Sequence, residues 1–126
     1  MMKTFETSEK RGRFEVFARV NILGNDVLVI AYGGREHVGA MAMAQPRPGI
    51  SDPQQVGATS SVFTYVGHKE DIIAKSMSEE ISRRLNRKVV VVAGIHWDNL
   101  TFEEIKAIGD LCEELTKRII VEAQKA

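Results

Sequence analysis

Two short runs carry residue types able to do chemistry: Gly33-Gly34-Arg35-Glu36-His37 and Gly94-Ile95-His96-Trp97-Asp98-Asn99. An arginine can fork onto phosphate or carboxylate. Glycines beside it let a ligand approach the backbone closely. Imidazoles can bind a metal or move a proton. An indole can stack on a planar ligand or anchor a partner. The segment Gly33–Gly39, GGREHVG, is neither GxGxxG nor a Walker loop. Its glycines equally suit a hairpin that needs positive φ, so anion binding and a plain turn both stand.

The three histidines, His37, His68 and His96, all fall at predicted element ends. Three converging imidazoles would hold Zn²⁺ with one position open. No pair has the short helical spacing of HExxH, so surface or capping roles are expected and no metal ligand is assigned. Gly67-His68 opens a helix whose free N–H groups could take an anion. Glu70 and Asp71 already occupy that positive end, so capping is the expectation. Trp97 follows a buried strand and could equally lid the core. No Ser/His/Asp order, CxxC pair or paired-carboxylate pattern stands out, so no catalytic residue is assigned.

The elements that must position these groups follow from periodicity. Residues 1–12 are polar and are expected to be flexible or an edge strand. Residues 13–23 alternate: Phe14, Val16, Ala18, Val20 and Ile22 share one face, and Glu15, Phe17, Arg19, Asn21 and Leu23 the other. Gly24-Asn25 predicts a tight hairpin into Asp26–Tyr32. In His37–Gln45, alanines alternate with Gly39, Met41 and Met43, which favours a strand over the helix that Ala and Met otherwise prefer. Residues 46–57 hold all three prolines and predict a loop, followed by a fourth strand over Ala58–Val66.

Ile73, Met77, Ile81 and Leu85 predict a helix over His68–Asn86, with Glu70 and Asp71 at its start and Arg83, Arg84 and Arg87 near its end. Four consecutive valines, Val89–Val92, predict a strand buried on both faces. The unit Thr59–Val92 could form a crossover that sets two strands parallel. Thr101 with Glu104 predicts a capping box, and Leu100 with Ile105 a hydrophobic staple. Ile105, Ile108, Cys112, Leu115 and Ile119 then form the stripe of a closing helix. The fold class is α+β: a single, mostly antiparallel sheet of about five strands, order β-β-β-β-α-β-α, with two helices on one face. That leaves a half-apolar sheet face bearing Phe17, Leu23, Met41 and Met43, which implies an oligomer or partner interface.

The 126 residues suit one domain. Lysine plus arginine equals aspartate plus glutamate, 17 each, which argues against a phosphate-tracking nucleic-acid binder and does not oppose self-association. The single cysteine, Cys112, cannot form an intramolecular disulfide and is expected as a buried thiol. No apolar run reaches about 18 residues, and the start lacks the apolar segment of a secretory signal, so no membrane span and a cytoplasmic location are expected. No internal repeat or low-complexity segment is found.

The segments GGREHVGAMAMAQP and KEDIIAKSMSEEISRRLNRKVVVVAGIHWDNLT, with the closing helix, resemble the LpdD-like family. That family is grouped with prenylated-flavin chaperone subunits of UbiD-type decarboxylase systems, such as gallate decarboxylase. The pattern is also similar to the proteasome-assembly-chaperone fold, a small α+β domain that dimerises. The resemblance runs from Gly12 to Ile120, and its most specific pieces are Gly33-Gly34…His37-Val38-Gly39-Ala40 and Gly94-Ile95-His96…Asp98-Asn99. It implies a non-catalytic, homodimeric accessory protein that helps load or mature prenylated FMN, or FMN, in a partner decarboxylase. Gly34, Arg35, His37, His96, Trp97 and Asp98 would line the groove, with Arg35 on phosphate and Trp97 on an apolar ring or partner. Two other readings are a flavin-independent assembly chaperone docking through the open face and a small His-dependent metal enzyme.

Overall fold

The computed structural model describes residues 2–126. Its elements are β1 (Met2–Arg11), β2 (Phe14–Leu23), β3 (Asp26–Gly34), β4 (Ala40–Pro48), β5 (Val56–Thr64), α1 (Asp71–Leu85), β6 (Val89–His96) and α2 (Phe102–Lys125). The six strands form one sheet in the order β1-β2-β3-β6-β4-β5. All neighbours are antiparallel except β3 and β6, which run parallel. β6 is thus the seam between a three-stranded meander and the β4–β5 hairpin. β5 and β6 both oppose β4, so the unit β5–α1–β6 sets two strands parallel, as expected, with β4 between them.

The alternation of β2 and β3 survives in the fold. Phe14, Val16, Ala18, Val20, Ile22, Val27, Val29 and Ala31 are all buried beneath the helices. α1 packs over β4, β5 and β6, α2 over β1 and β2, and the two helices touch. The capping box of α2 is formed: Glu104 N–H donates to Thr101 Oγ1 at 3.1 Å, and Thr101 N–H to Glu104 Oε1 at 2.9 Å. Cys112 is buried and unpaired, and burial, followed by the neighbouring Glu113 charge, pushes its thiol up to about 12. Among the described residues no helix is long and apolar enough to cross a membrane.

Five expectations change. The sheet has six strands, because residues 2–11 pair with β2 along their length, from Met2↔Leu23 to Arg11↔Phe14. This edge strand has few apolar residues for periodicity to detect. Ladder bonds hold it, with ion pairs such as Arg19–Glu6 at 2.8 Å and Arg118–Glu9 at 2.6 Å. The proline loop is shorter, because β4 continues through Pro48. β6 stops pairing at Ala44↔Val89, so the proline stretch has a partner on one side only, where a missing N–H is tolerated.

α1 starts at Asp71 and not at His68, because His68 N–H is bonded in a turn to the Tyr65 carbonyl. The valine run is buried on one face: Val89 and Val91 lie in the core, Val90 and Val92 are half-buried. Its composition reflects a central position in the sheet, with helices on one side only. Ile105 lies outside the core, 56% exposed. Arg13, in the β1–β2 turn, reaches Glu104 at 3.2 Å, so this first helical turn sits at the sheet's end.

The uncovered face carries a continuous cross-strand row, Arg19↔Ile30↔Val92↔Met41↔Phe63. Ile30, Met41 and Phe63 are all exposed there. Phe17 is half-buried and stacks on Tyr32 with ring centroids 5.2 Å apart. Leu115 is fully buried, so Leu115→Ala should lose about 2–5 kcal/mol of stability. Ile105→Ala should lose less than about 0.5 kcal/mol, as surface substitutions do. Urea unfolding of the two variants measures the contrast.

Candidate functional site

Parallel pairing delivers β3 and β6 to the same sheet edge, with Gly34 opposite His96. The two chemistry-bearing runs are therefore neighbours. The Arg35–Gly39 segment is pinned to β6 by Arg35 N–H to the His96 carbonyl and Gly39 N–H to the Ala93 carbonyl, each 2.9 Å. Gly34 has φ +69, and a Cβ on it would meet the His96 carbonyl. A Cβ on Gly94 would lie 1.7 Å from the His37 carbonyl oxygen. These glycines are where two backbones need space.

Arg35 is already engaged. Its Nη2 donates to Asp98 Oδ2 at 2.9 Å and Oδ1 at 3.2 Å, with both side chains about two-thirds exposed, 64% and 66%. His96 Nε2 contacts Asp98 Oδ1 at 2.9 Å. The His96 hydrogen bond, then the Arg35 charge, hold the Asp98 carboxyl below the usual carboxylate range, so it is ionised at neutral pH. Arg35, His96 and Asp98 thus form an exposed polar triplet. A ligand phosphate on Arg35 would compete with Asp98.

Trp97 is placed differently from the groove position expected of it. It is half-buried, packed against the core, with its ring edge-on to Phe14 at 5.1 Å and close over Gly33 and Gly34. It lids the core at the sheet's end, the second of the two roles open to it in the sequence. His37 turns the other way, toward the start of α1. Its ring stacks on His68 at 4.9 Å and lies edge-on to His96 at 6.2 Å.

The sequence offered His68 and Glu70 as capping groups at the helix start and left both out of the groove, but the structure places them in it. Glu70 is only 5% exposed, although it makes no side-chain cap on α1. His37 Nε2 lies 3.1 Å from Glu70 Oε1, and His68 Nδ1 lies 3.7 Å from Oε2. The signal was present in the spacing. Glu70 stands three residues before Ile73 and four before Ala74, so it extends the inward stripe of α1 by one turn. Arg35, His37, His68, Lys69, Glu70 and His96 line a cleft of about 450 Å³, floored by Ile73 and Ile95.

The fold, an open six-stranded sheet with two helices on one side, is shared with a known class. The chain superposes with a TM-score of 0.55 on a protein from a chaperone complex for yeast 20S proteasome assembly, at 15% identity, covering 94% of this chain and 98% of that one. That likeness concerns the fold. The sequence profile of the prenylated flavin chaperone LpdD-like domain matches residues 10–124, and the chain belongs to that family. It is 28% identical over 120 residues to Protein LpdD of Lactiplantibacillus plantarum, covering 94% of this chain and 83% of that protein.

The space at Gly94 is testable. Gly94→Ala must push the His37 backbone and should destabilise by roughly 1–3 kcal/mol, the range for overpacking. Gly109 lies inside α2 with nothing near its missing Cβ, so Gly109→Ala should stabilise by about 0.4–1 kcal/mol. Denaturant midpoints of both variants check the opposite signs.

Proposed function

We propose that this protein is a non-catalytic accessory chaperone that holds prenylated FMN, or FMN, transiently for a partner decarboxylase of the UbiD type. Family membership supports the chaperone role. The observation that carries the flavin reading is the cleft itself. Its volume, about 450 Å³, falls within the range of small-molecule sites, and it joins two cationic side chains, Arg35 and Lys69, to the apolar Ile73 and Ile95. A phosphorylated planar ligand needs that combination. Gly34 and His96 shape the rim, Arg35 meets the phosphate, and His37 faces the ring system. Trp97 supports the rim from the core side and does not stack on the ligand.

A second copy of the chain is the natural cover for the open sheet face. Ile30, Met41 and Phe63 are exposed in one row, and zero net charge opposes no association. Sedimentation at micromolar concentration should give twice 14.0 kDa. Met41→Glu should shift the protein to monomer. A wild-type monomer with Met41 bare to water would favour the flavin-independent chaperone that docks its partner through this face.

Calorimetric titration of FMN and prenylated FMN tests the flavin reading. Arg35→Lys should weaken binding several-fold, because lysine lacks the planar fork. Asp98→Asn should strengthen it, by about fivefold or less, because an exposed competitor for Arg35 is removed. Equal affinities in all three proteins would clear Arg35 of a phosphate role. The purified protein alone should turn over no decarboxylase substrate. Robust turnover abolished by His96→Ala would instead establish the small His-dependent enzyme.

A further inference from the structure

His37, His68 and Glu70 each offer a donor atom, and all three atoms lie within 4.8 Å of one another. From this cluster we infer a divalent-metal site: His37 Nε2, His68 Nδ1 and Glu70 Oε2 bind a first-row cation of the zinc type. The inference stands apart from the flavin reading and does not need it.

The hydrogen bonds of His37 carry the first part of the argument. Its Nδ1 lies 2.8 Å from the carbonyl oxygen of Arg35. A carbonyl only accepts, so the proton sits on Nδ1. In the neutral ring, Nε2 then presents a lone pair to Glu70 Oε1 at 3.1 Å. Two acceptors facing each other repel. Either a second proton between them or a metal cation on the Nε2 lone pair must relieve that repulsion. A ring N–H given to a backbone carbonyl is also the usual way a metal-binding histidine is oriented.

Glu70 decides between the two. Its Oε2 is buried and has no hydrogen-bond partner. A proton on His37 Nε2 would satisfy Oε1 and leave Oε2 orphaned. A buried unsatisfied carboxylate oxygen is costly. A cation between Oε2 and the two rings satisfies all three groups at once. The chain also reserves the space for this oxygen, since a Cβ on Gly39 would lie 1.3 Å from Oε2. Two imidazoles and one carboxylate suit Zn²⁺ and its first-row neighbours.

Donors of a tetrahedral site with metal distances of about 2.1 Å lie about 3.4 Å apart, so the cluster must close slightly. His68, whose side chain is 37% exposed, has room to move inward. Three protein donors leave a further position open, as in sites that bind a ligand. All three residues line the cleft, so that position is reached from it.

The test uses the full chain, stripped with chelator and titrated with Zn²⁺ by calorimetry and with Co²⁺ by visible absorption. One Zn²⁺ per chain is expected, with Co²⁺ bands of a four- or five-coordinate ion and a raised melting temperature. Glu70→Gln and His68→Ala should each weaken Zn²⁺ by more than the roughly 10- to 100-fold typical of losing an outer-shell partner. His68 is exposed, so its variant keeps the fold if the glutamine variant does not. Absence of binding to the wild type overturns the inference, as does binding that both folded variants retain. FMN titrations on the chelated protein read the flavin proposal separately, so either can fail alone.

Discussion

Strand β6 hydrogen-bonds in parallel to β3 along eight residue pairs and antiparallel to β4 along five. Without it the chain would be a meander and a hairpin with no shared sheet. A parallel pair brings two strand ends to one edge, and that geometry sets His96 beside Gly34. It also pins the Arg35–Gly39 segment against β6, which aims His37 at the start of α1. The constraint is steric as much as hydrogen-bonded. Backbones approach at Gly34 and Gly94 where a side chain would not fit. The cleft follows from this seam.

Two polar groups of residues share the edge and behave differently. Arg35, His96 and Asp98 are exposed, and solvent screens their pairing. His37 and Glu70 are enclosed, so any unpartnered atom there is expensive. The first group can exchange partners with a ligand at small cost. The second demands a partner. A site of this kind has a displaceable rim and a fixed floor.

The two sheet faces divide labour in a similar way. One is closed by α1 and α2 over small residues, Ala18, Ala31, Ala40, Ala42 and Ala93, that let the helices sit close. The other keeps larger apolar residues without cover. The fold therefore offers two surfaces at once, the polar edge and the apolar face.

Much of this was legible in the order of residues. Alternation fixed the faces of β2, β3 and β4, since a strand's period of two allows one inward set only. Thr101 and Glu104 settled the start of α2, because a capping box is local chemistry. The polar strand ends marked the edge where the cleft lies. What stayed hidden depended on contacts far along the chain. Residues 1–12 read as either flexible or an edge strand, and the ladder with β2 and ion pairs to α2 decide for the strand. Trp97 faces the core because Phe14 is there to receive it. His37 and Glu70, thirty-three residues apart, meet because β6 is inserted between β3 and β4 and carries α1 back across the sheet. Residue types set which chemistry was available. Strand insertion, a long-range event, decided which residues share a site.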